Sequence, residues 1–458
     1  MLARRGGDFV RGTNMQAKVT ITTLVLMGST ILSSAAMAQD LRILTAVTGG
    51  KDAAEHELFV TELEEHLGLE IEMIKPEADY NQVMFTSLAS GERFDLIYGD
   101  SSMIPTLVEQ GAIIEVSDII EGSDVLSDPA VIPEGEWDLF DVDGAIYGVP
   151  NKFEGGTMPT LRQDWLEESG METPASLEEW RAFFEWAMEE KGAYGLSTAG
   201  LYDIQGFMSA AGVKAGYVMD ENGNRTIPYA SEAAAEVYDW FGALYNDGLL
   251  DPNFATNGSG EFRNLFMTDR AAAVTYWDAW VGLFNNIMTT ENPETEFEAR
   301  GVPGVPGPDG DVILRRGNAS LWFIPANAEN VDNAVAFLEF WHSEPGYVLG
   351  TLGIEGHDYT MEGDEYVLTE IGQSHGCDHG APRVASTTWE NPCGVLPGVT
   401  DAEEIIMEHA TTEYLPADWT DAQPIVENYA YQAMSGEITG AEAVAAMQEE
   451  LRSADLID

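Results

Sequence analysis

Cysteine is nearly absent from this chain: 458 residues contain two, Cys377 and Cys393. Two thiols exclude a disulfide-dense scaffold and an all-cysteine zinc site. Basic residues are scarce as well, 21 Lys and Arg against 79 Asp and Glu, for a formal net charge of −58. Beyond residue 38 the lysines are Lys51, Lys75, Lys152, Lys191 and Lys214. A field this negative repels polyanions, so nucleic acid is not an expected partner, nor is an anionic membrane surface. Past residue 38 no run approaches the roughly 18 apolar residues of a spanning helix. There is no Gly-x-Ser-x-Gly elbow, His-Glu-x-x-His pair or phosphate loop. Paired carboxylates, the signature of a secreted polysaccharide-degrading enzyme, arise by chance among so many acids and carry no catalytic information.

What is present begins with Met15 to Ala38, which reads as a secretory signal peptide: Lys18, an apolar stretch through Leu24, Val25, Leu26 and Ile31, then Ala36-Met37-Ala38 before Gln39. Met1 to Asn14 reads as an over-called start. No Cys stands at the cleavage site, so a soluble periplasmic protein is expected rather than a lipid-attached one. The acids are spread along the chain instead of forming a tail. That pattern fits a salty medium, whose ions screen the self-repulsion of a compact polyanion.

In an oxidising compartment Cys377 and Cys393 are expected to pair. A metal site is the alternative, because His375, Cys377 and His379 bunch three ligand types within five residues. The disulfide is the preferred reading, with no metal and no cofactor.

From Leu41 short apolar runs alternate with helical spacings. Leu41 to Val47, Leu69 to Ile74 and Phe94 to Tyr98 read as strands; Glu55 to Leu67 and Asn81 to Ala89 read as helices. That order predicts a parallel α/β sheet, whose ligands collect at the carboxyl ends of its strands, near Thr48 to Lys51 and Asp100 to Ser102. Tyr147 to Pro150 reads as a crossing into a second, mostly helical domain, with Ser176 and Ser231 as helix caps. Gly301 to Gly310 reads as a linker, Ala319 to Ile324 as a returning strand, Val331 to His342 as a helix, and Gly440 to Leu451 as a closing amphipathic helix.

These residues resemble a known family, the extracellular solute-binding proteins that deliver sugars to ABC importers. The likeness rests on the order and spacing of Phe94-Asp-Leu-Ile-Tyr-Gly-Asp100, Gly144-Ala-Ile-Tyr-Gly-Val-Pro150, Leu161-Arg-Gln-Asp-Trp-Leu166, Tyr245-Asn-Asp-Gly-Leu-Leu-Asp-Pro252, Phe262 to Trp280 and Gly353-Ile-Glu-Gly-His-Asp-Tyr359. It covers nearly the whole mature chain. The resemblance implies a periplasmic-binding-protein-like α/β fold of type II, two lobes joined by hinge strands around a ligand cleft. Lobe 1 is expected at 39–149 plus about 299–345, and lobe 2 at 150–298 plus about 346–458. It further implies a neutral sugar or oligosaccharide ligand, the membrane subunits of an ABC permease as partners, and no enzymatic activity. A monomer is expected, because no long exposed apolar stripe asks for a partner. A peptide or polyamine ligand on the same fold is the alternative, ahead of a secreted carbohydrate-active enzyme.

Sugars present apolar ring faces and a rim of hydroxyls, which aromatic rings, carboxylates, amides and Arg satisfy together. The resemblance places Trp277 or Trp280 as a cleft indole, with Asp278 between them; packing in the second lobe is the other reading. It also places Glu154 as a polar contact past the hinge, flanked by Lys152. Asp100 ends a buried strand, where it either binds hydroxyls or caps the next helix. Arg162 reaches the cleft from a strand end or pairs with a nearby acid, and Trp322, on the buried returning strand, packs in the core, the commoner place for such an indole, or contacts ligand. Trp165 is assigned to packing, and His357 to a turn.

Overall fold

The computed structural model describes residues 40–220 and 223–458; the signal-peptide reading lies outside them. Two sheets organise the chain. The first runs Ile71–Ile74, Leu41–Leu44, Leu96–Asp100, Ser320–Phe323, Val149–Pro150 in spatial order. Its first three strands are parallel, as the strand–helix alternation predicts, with Leu41 opposite Ile71 and Ile43 opposite Leu96. Ser320–Phe323 then enters antiparallel, setting Ser320 opposite Asp100. Apolar clusters cover both faces of this sheet, while Arg42 and Glu72 on its first two strands pair with each other at 2.6 Å. Ala53–Leu67 and Tyr80–Ser90 are the early helices, capped by the Asp52 and Asp79 carboxylates.

The second sheet runs Ala410–Thr411, Leu314–Arg315, Thr157–Arg162, Ala271–Trp277, Tyr194–Ser197, with Ala299–Gly301 also on Thr157–Arg162. Its core is aromatic, including Trp180, Phe183, Phe207, Tyr238 and Phe241. Ser176 caps Leu177–Lys191 by accepting from the Glu179 amide. Ser231 precedes Glu232–Asn246 without capping it, and its hydroxyl has no partner.

The lobe boundaries differ from the expected ones. Val149–Pro150 is an edge strand of the first sheet, so the crossing begins after Pro150. Ala299–Gly301 and Leu314–Arg315 pair in the second sheet, so the return falls between Arg315 and Ser320. Leu349, Ile354, Ala381 and Ala385 pack into the core of the first sheet, and the chain regains the second sheet before Ala402 and Ile406. The chain therefore passes between the sheets three times.

Guanidinium groups tie these passages together. Arg316 donates from Nε to the Gly155 carbonyl at 2.9 Å and from Nη2 to Glu136 Oε1 at 2.7 Å. Arg383 donates to Asp278 Oδ2 at 2.8 Å and lies 4.7 Å from the Phe153 ring centroid. The Gly156 amide donates to Asp278 Oδ1. At Gly155, φ is +79° and an added Cβ would sit 2.1 Å from Asp278 Oδ1, so only glycine fits there. Cys377 and Cys393 form the disulfide.

Candidate functional site

A crevice lies between the two sheets, and local chemistry at the strand ends builds its walls. On the first side the backbone turns at Asp100, whose Oδ1 accepts from the Ser102 amide at 3.0 Å and from the Ser102 hydroxyl, starting a short helical turn. The turn presents Ser101 and Ser102 with Phe140, opposite Glu413, Tyr414 and Leu415 of the second side. Further along, Ser102, Thr106 and Asn318 face Tyr202, Arg315, Trp419 and Gln423.

Charge in the crevice is paired. Arg315 donates to Glu413 Oε2 at 2.7 Å, and its Nη1 stands 3.7 Å from Asp203 Oδ1. Burial pushes the Asp203 carboxyl up to about 6, with Arg315 pulling it down and Glu413 pushing it higher. At the first crossing, Lys152 Nζ lies 3.3 Å from Glu154 Oε1, while Glu154 Oε2 accepts from the Ser320 hydroxyl at 2.8 Å. The half-buried Trp277 reaches over Gly317 in the return crossing, where an added Cβ would lie 3.0 Å from its ring.

Asp100, Lys152, Glu154 and Trp277 thus gather around the crossings. Four other candidates have different roles: Arg162, Trp322 and Trp280 lie away from the crossings, and Asp278 is buried at one of them as a structural acceptor. Arg162 sits at the far end of Thr157–Arg162, about 17 Å along the strand from the crossing; its side chain is 5% exposed and pairs with Asp164 and Asp269. Of the two readings of Arg162, pairing with nearby acids is the one observed. Asp278 is fully buried as the acceptor for Gly156 and Arg383. Trp322 is fully buried as well, edge-on to Tyr98, Phe337 and Trp341; strand alternation turns it to the core. Trp280 stacks 3.7 Å from the Arg263 guanidinium and packs on Tyr276 and Phe284, in a cluster of the second lobe. Trp165 packs against Arg162, consistent with the packing role.

Sequence reasoning did not single out Ser101, Ser102, Asn318, Tyr202, Arg315, Glu413 or Trp419. One signal for them was present: Arg315-Arg316 is an adjacent basic pair in a chain nearly devoid of bases, just before the returning strand.

Two α/β lobes joined by three crossings around a polar, aromatic-rimmed crevice define a solute receptor of the periplasmic-binding type. The chain belongs to the bacterial extracellular solute-binding protein family, which it matches over residues 59–348; this is a family of binding proteins, not enzymes. It is similar to the lipoprotein LipO of Bacillus subtilis (strain 168), 20% identical over 72% of this chain and 69% of LipO. Among solved structures, it resembles the alginate-binding protein AlgQ2 without calcium ion at a TM-score of 0.66 and 16% identity, covering 91% of this chain and 95% of that one. The sugar-binding protein MalE of Xanthomonas citri gives 0.65 at 17% identity, over 90% and 95% of the two chains. Among the described residues no helix is long and apolar enough to cross a membrane.

Proposed function

We propose that this protein captures a neutral sugar or oligosaccharide in the crevice and presents it to the membrane subunits of an ABC importer. The observation that carries this reading is the crevice lining: hydroxyls of Ser101, Ser102 and Thr106, amides of Asn318 and Gln423, and the aromatic side chains of Tyr202 and the exposed Tyr414, with Trp277 standing over Gly317 at its edge. Polar rims with flat apolar faces match a pyranose. The guanidinium there, Arg315, is committed to Glu413 and Asp203, and Lys152 to Glu154, so an anionic sugar would find no spare cation. The likeness to the sugar-binding protein MalE of Xanthomonas citri and to a maltose-bound MalE3 supports a sugar, whereas the likeness to an alginate-binding protein makes the uronates in the screen a direct test of neutrality. Binding draws the lobes together about the crossings, and a permease that recognises the closed shape reads occupancy. The signal-peptide reading, with no Cys at its cleavage site, supports a mature receptor free in the periplasm.

The test is a melting screen in high salt against neutral mono- and oligosaccharides, uronates, peptides and polyamines. A ligand at 100 times its dissociation constant adds about 2.7 kcal/mol. A neutral sugar is expected to raise Tm. Silence from every sugar with a rise from a polyamine or peptide overturns the carbohydrate reading.

A further inference from the structure

Three of the seven histidines in the chain meet two buried carboxylates in the first lobe, away from the crevice lining. Glu55 comes from the first turn of Ala53–Leu67 and Asp358 from the turn before Tyr359–Glu362; they are 4% and 0% exposed. His379 is also fully buried, and His375 closes the short helix Glu370–His375. One ligand atom from each of these four residues lies within 4.8 Å of the others. His375 Nδ1 is 2.8 Å from Asp358 Oδ1 and 3.2 Å from Glu55 Oε1. His379 Nε2 is 3.0 Å from Glu55 Oε1 and 3.5 Å from Asp358 Oδ2. A tetrahedral zinc with bonds near 2.0 Å separates its ligand atoms by about 3.3 Å, which falls within this spread.

The groups behind the four donors hold them for this task. The Thr351 carbonyl, 3.2 Å from His379 Nδ1, can only accept, so the ring keeps a hydrogen there and is oriented with Nε2 toward the carboxylates. Nε2 set against two carboxylate oxygens calls for a positive charge there, which either a ring proton or a bound metal ion supplies. The Lys51 amide donates to Glu55 Oε2 at 2.7 Å and the Ile354 amide to Asp358 Oδ2 at 2.9 Å, fixing both acids. Lys75, the neighbouring ammonium, is directed to the Val47 and Gly50 carbonyls instead. Gly353, at φ +97°, passes so close that an added Cβ would lie 2.5 Å from both Asp358 Oδ2 and His379 Cε1. His357 Nδ1 flanks the group, 3.3 Å from Asp358 Oδ2.

We propose that Glu55, Asp358, His375 and His379 form a closed structural site for a divalent transition metal of the zinc class. Two imidazoles and two carboxylates suit that class, and a dication leaves the buried group electrically neutral. Cys377 is not a ligand, because its sulfur is bonded to Cys393. The metal fastens the segment after His375 to the helix Ala53–Leu67. Through that segment it holds the first crossing, since the Gly380 carbonyl accepts from Asn151 Nδ2 at 2.7 Å and the Arg383 carbonyl from the Phe153 amide at 2.9 Å.

The test uses the full mature protein, stripped with a chelator and dialysed, with Zn²⁺ and Co²⁺ alone as probes and no sugar present. Calorimetry is expected to give one Zn²⁺ per chain, Zn²⁺ to raise Tm and EDTA to reverse the rise, and Co²⁺ to give the intense visible bands of tetrahedral coordination. His375→Ala, at the most accessible ligand, is expected to weaken Zn²⁺ binding by about 100-fold or more, whereas His66→Ala, outside the cluster, leaves it unchanged. Should either variant fail to fold, the cobalt spectrum of the unaltered protein decides. Absence of stoichiometric Zn²⁺ binding, a purely octahedral Co²⁺ spectrum, or equal affinity in His375→Ala overturns the site. None of these readouts involves a carbohydrate, so the sugar reading stands or falls separately.

Discussion

His342 is buried where the first crossing begins, and its titration should be visible as an acid limb in stability. Its Nε2 donates to the Pro150 carbonyl at 2.9 Å, while Nδ1 has no partner. Burial lowers its pKa to about 4 against an ordinary 6.5, with the Pro150 bond opposing. The folded state therefore binds fewer protons than the unfolded chain between these values. Its contribution is fully present above pH 6.5 and is lost as pH falls toward 4, at 1.36 kcal/mol per pH unit and roughly 3 kcal/mol in all. Asp203 has the opposite sign in part of this window. Its carboxyl, raised to about 6, takes up a proton in the folded state and favours folding as pH drops through that value. His342→Gln keeps an N–H for the Pro150 carbonyl and removes the titration, so the difference between variant and parent isolates the imidazole. The assay is urea unfolding from pH 7.5 to 4.5 in molar NaCl. The difference in unfolding free energy should close by about 3 kcal/mol, or reverse in favour of Gln, as pH falls. Parallel curves across the whole range would refute the buried, neutral imidazole.

Trp277→Ala should weaken sugar binding by about 30-fold, near 2 kcal/mol for a lost aromatic face, with little change in Tm; calorimetry showing unchanged affinity removes Trp277 from the site. Trp280→Ala should do the reverse, lowering Tm through lost contact with Arg263, Tyr276 and Phe284 while affinity holds. Cys393→Ser opens a loop of 16 residues and should cost about 3 kcal/mol by chemical denaturation; a change within error means the loop is already constrained. Tm should climb between low and molar NaCl, and a flat or falling profile would end the account of the acid excess as a solvent adaptation.

Local patterns carried much of the fold. The three parallel strands, the helices between them, the return at Ala319 to Ile324 and the closing helix are read from periodicity because each is settled by neighbours a few residues away. The lobe boundaries were less legible. Ala299–Gly301 is three residues long and takes its sheet from Thr157–Arg162, a partner no local pattern reveals. The site divides the same way. Asp100 is marked by the end of a buried strand, whereas for Arg162 and Trp322 only tertiary contacts decide between ligand and structure, and they favour the pairing with Asp164 and Asp269 and the core placement that the sequence also offered. His379 and Glu55 touch across 324 residues, a distance over which spacing is silent.

The antiparallel placement of Ser320–Phe323, between Leu96–Asp100 and Val149–Pro150, has a temporal consequence. A nascent chain can assemble the strands that start the first sheet, but its interior stays open until residue 323 has been synthesised. Early collapse into a finished lobe is thereby forestalled, because closing that long loop must precede the contacts that reward it. For a polypeptide destined to thread a narrow translocation channel, late completion keeps the precursor pliable during transit.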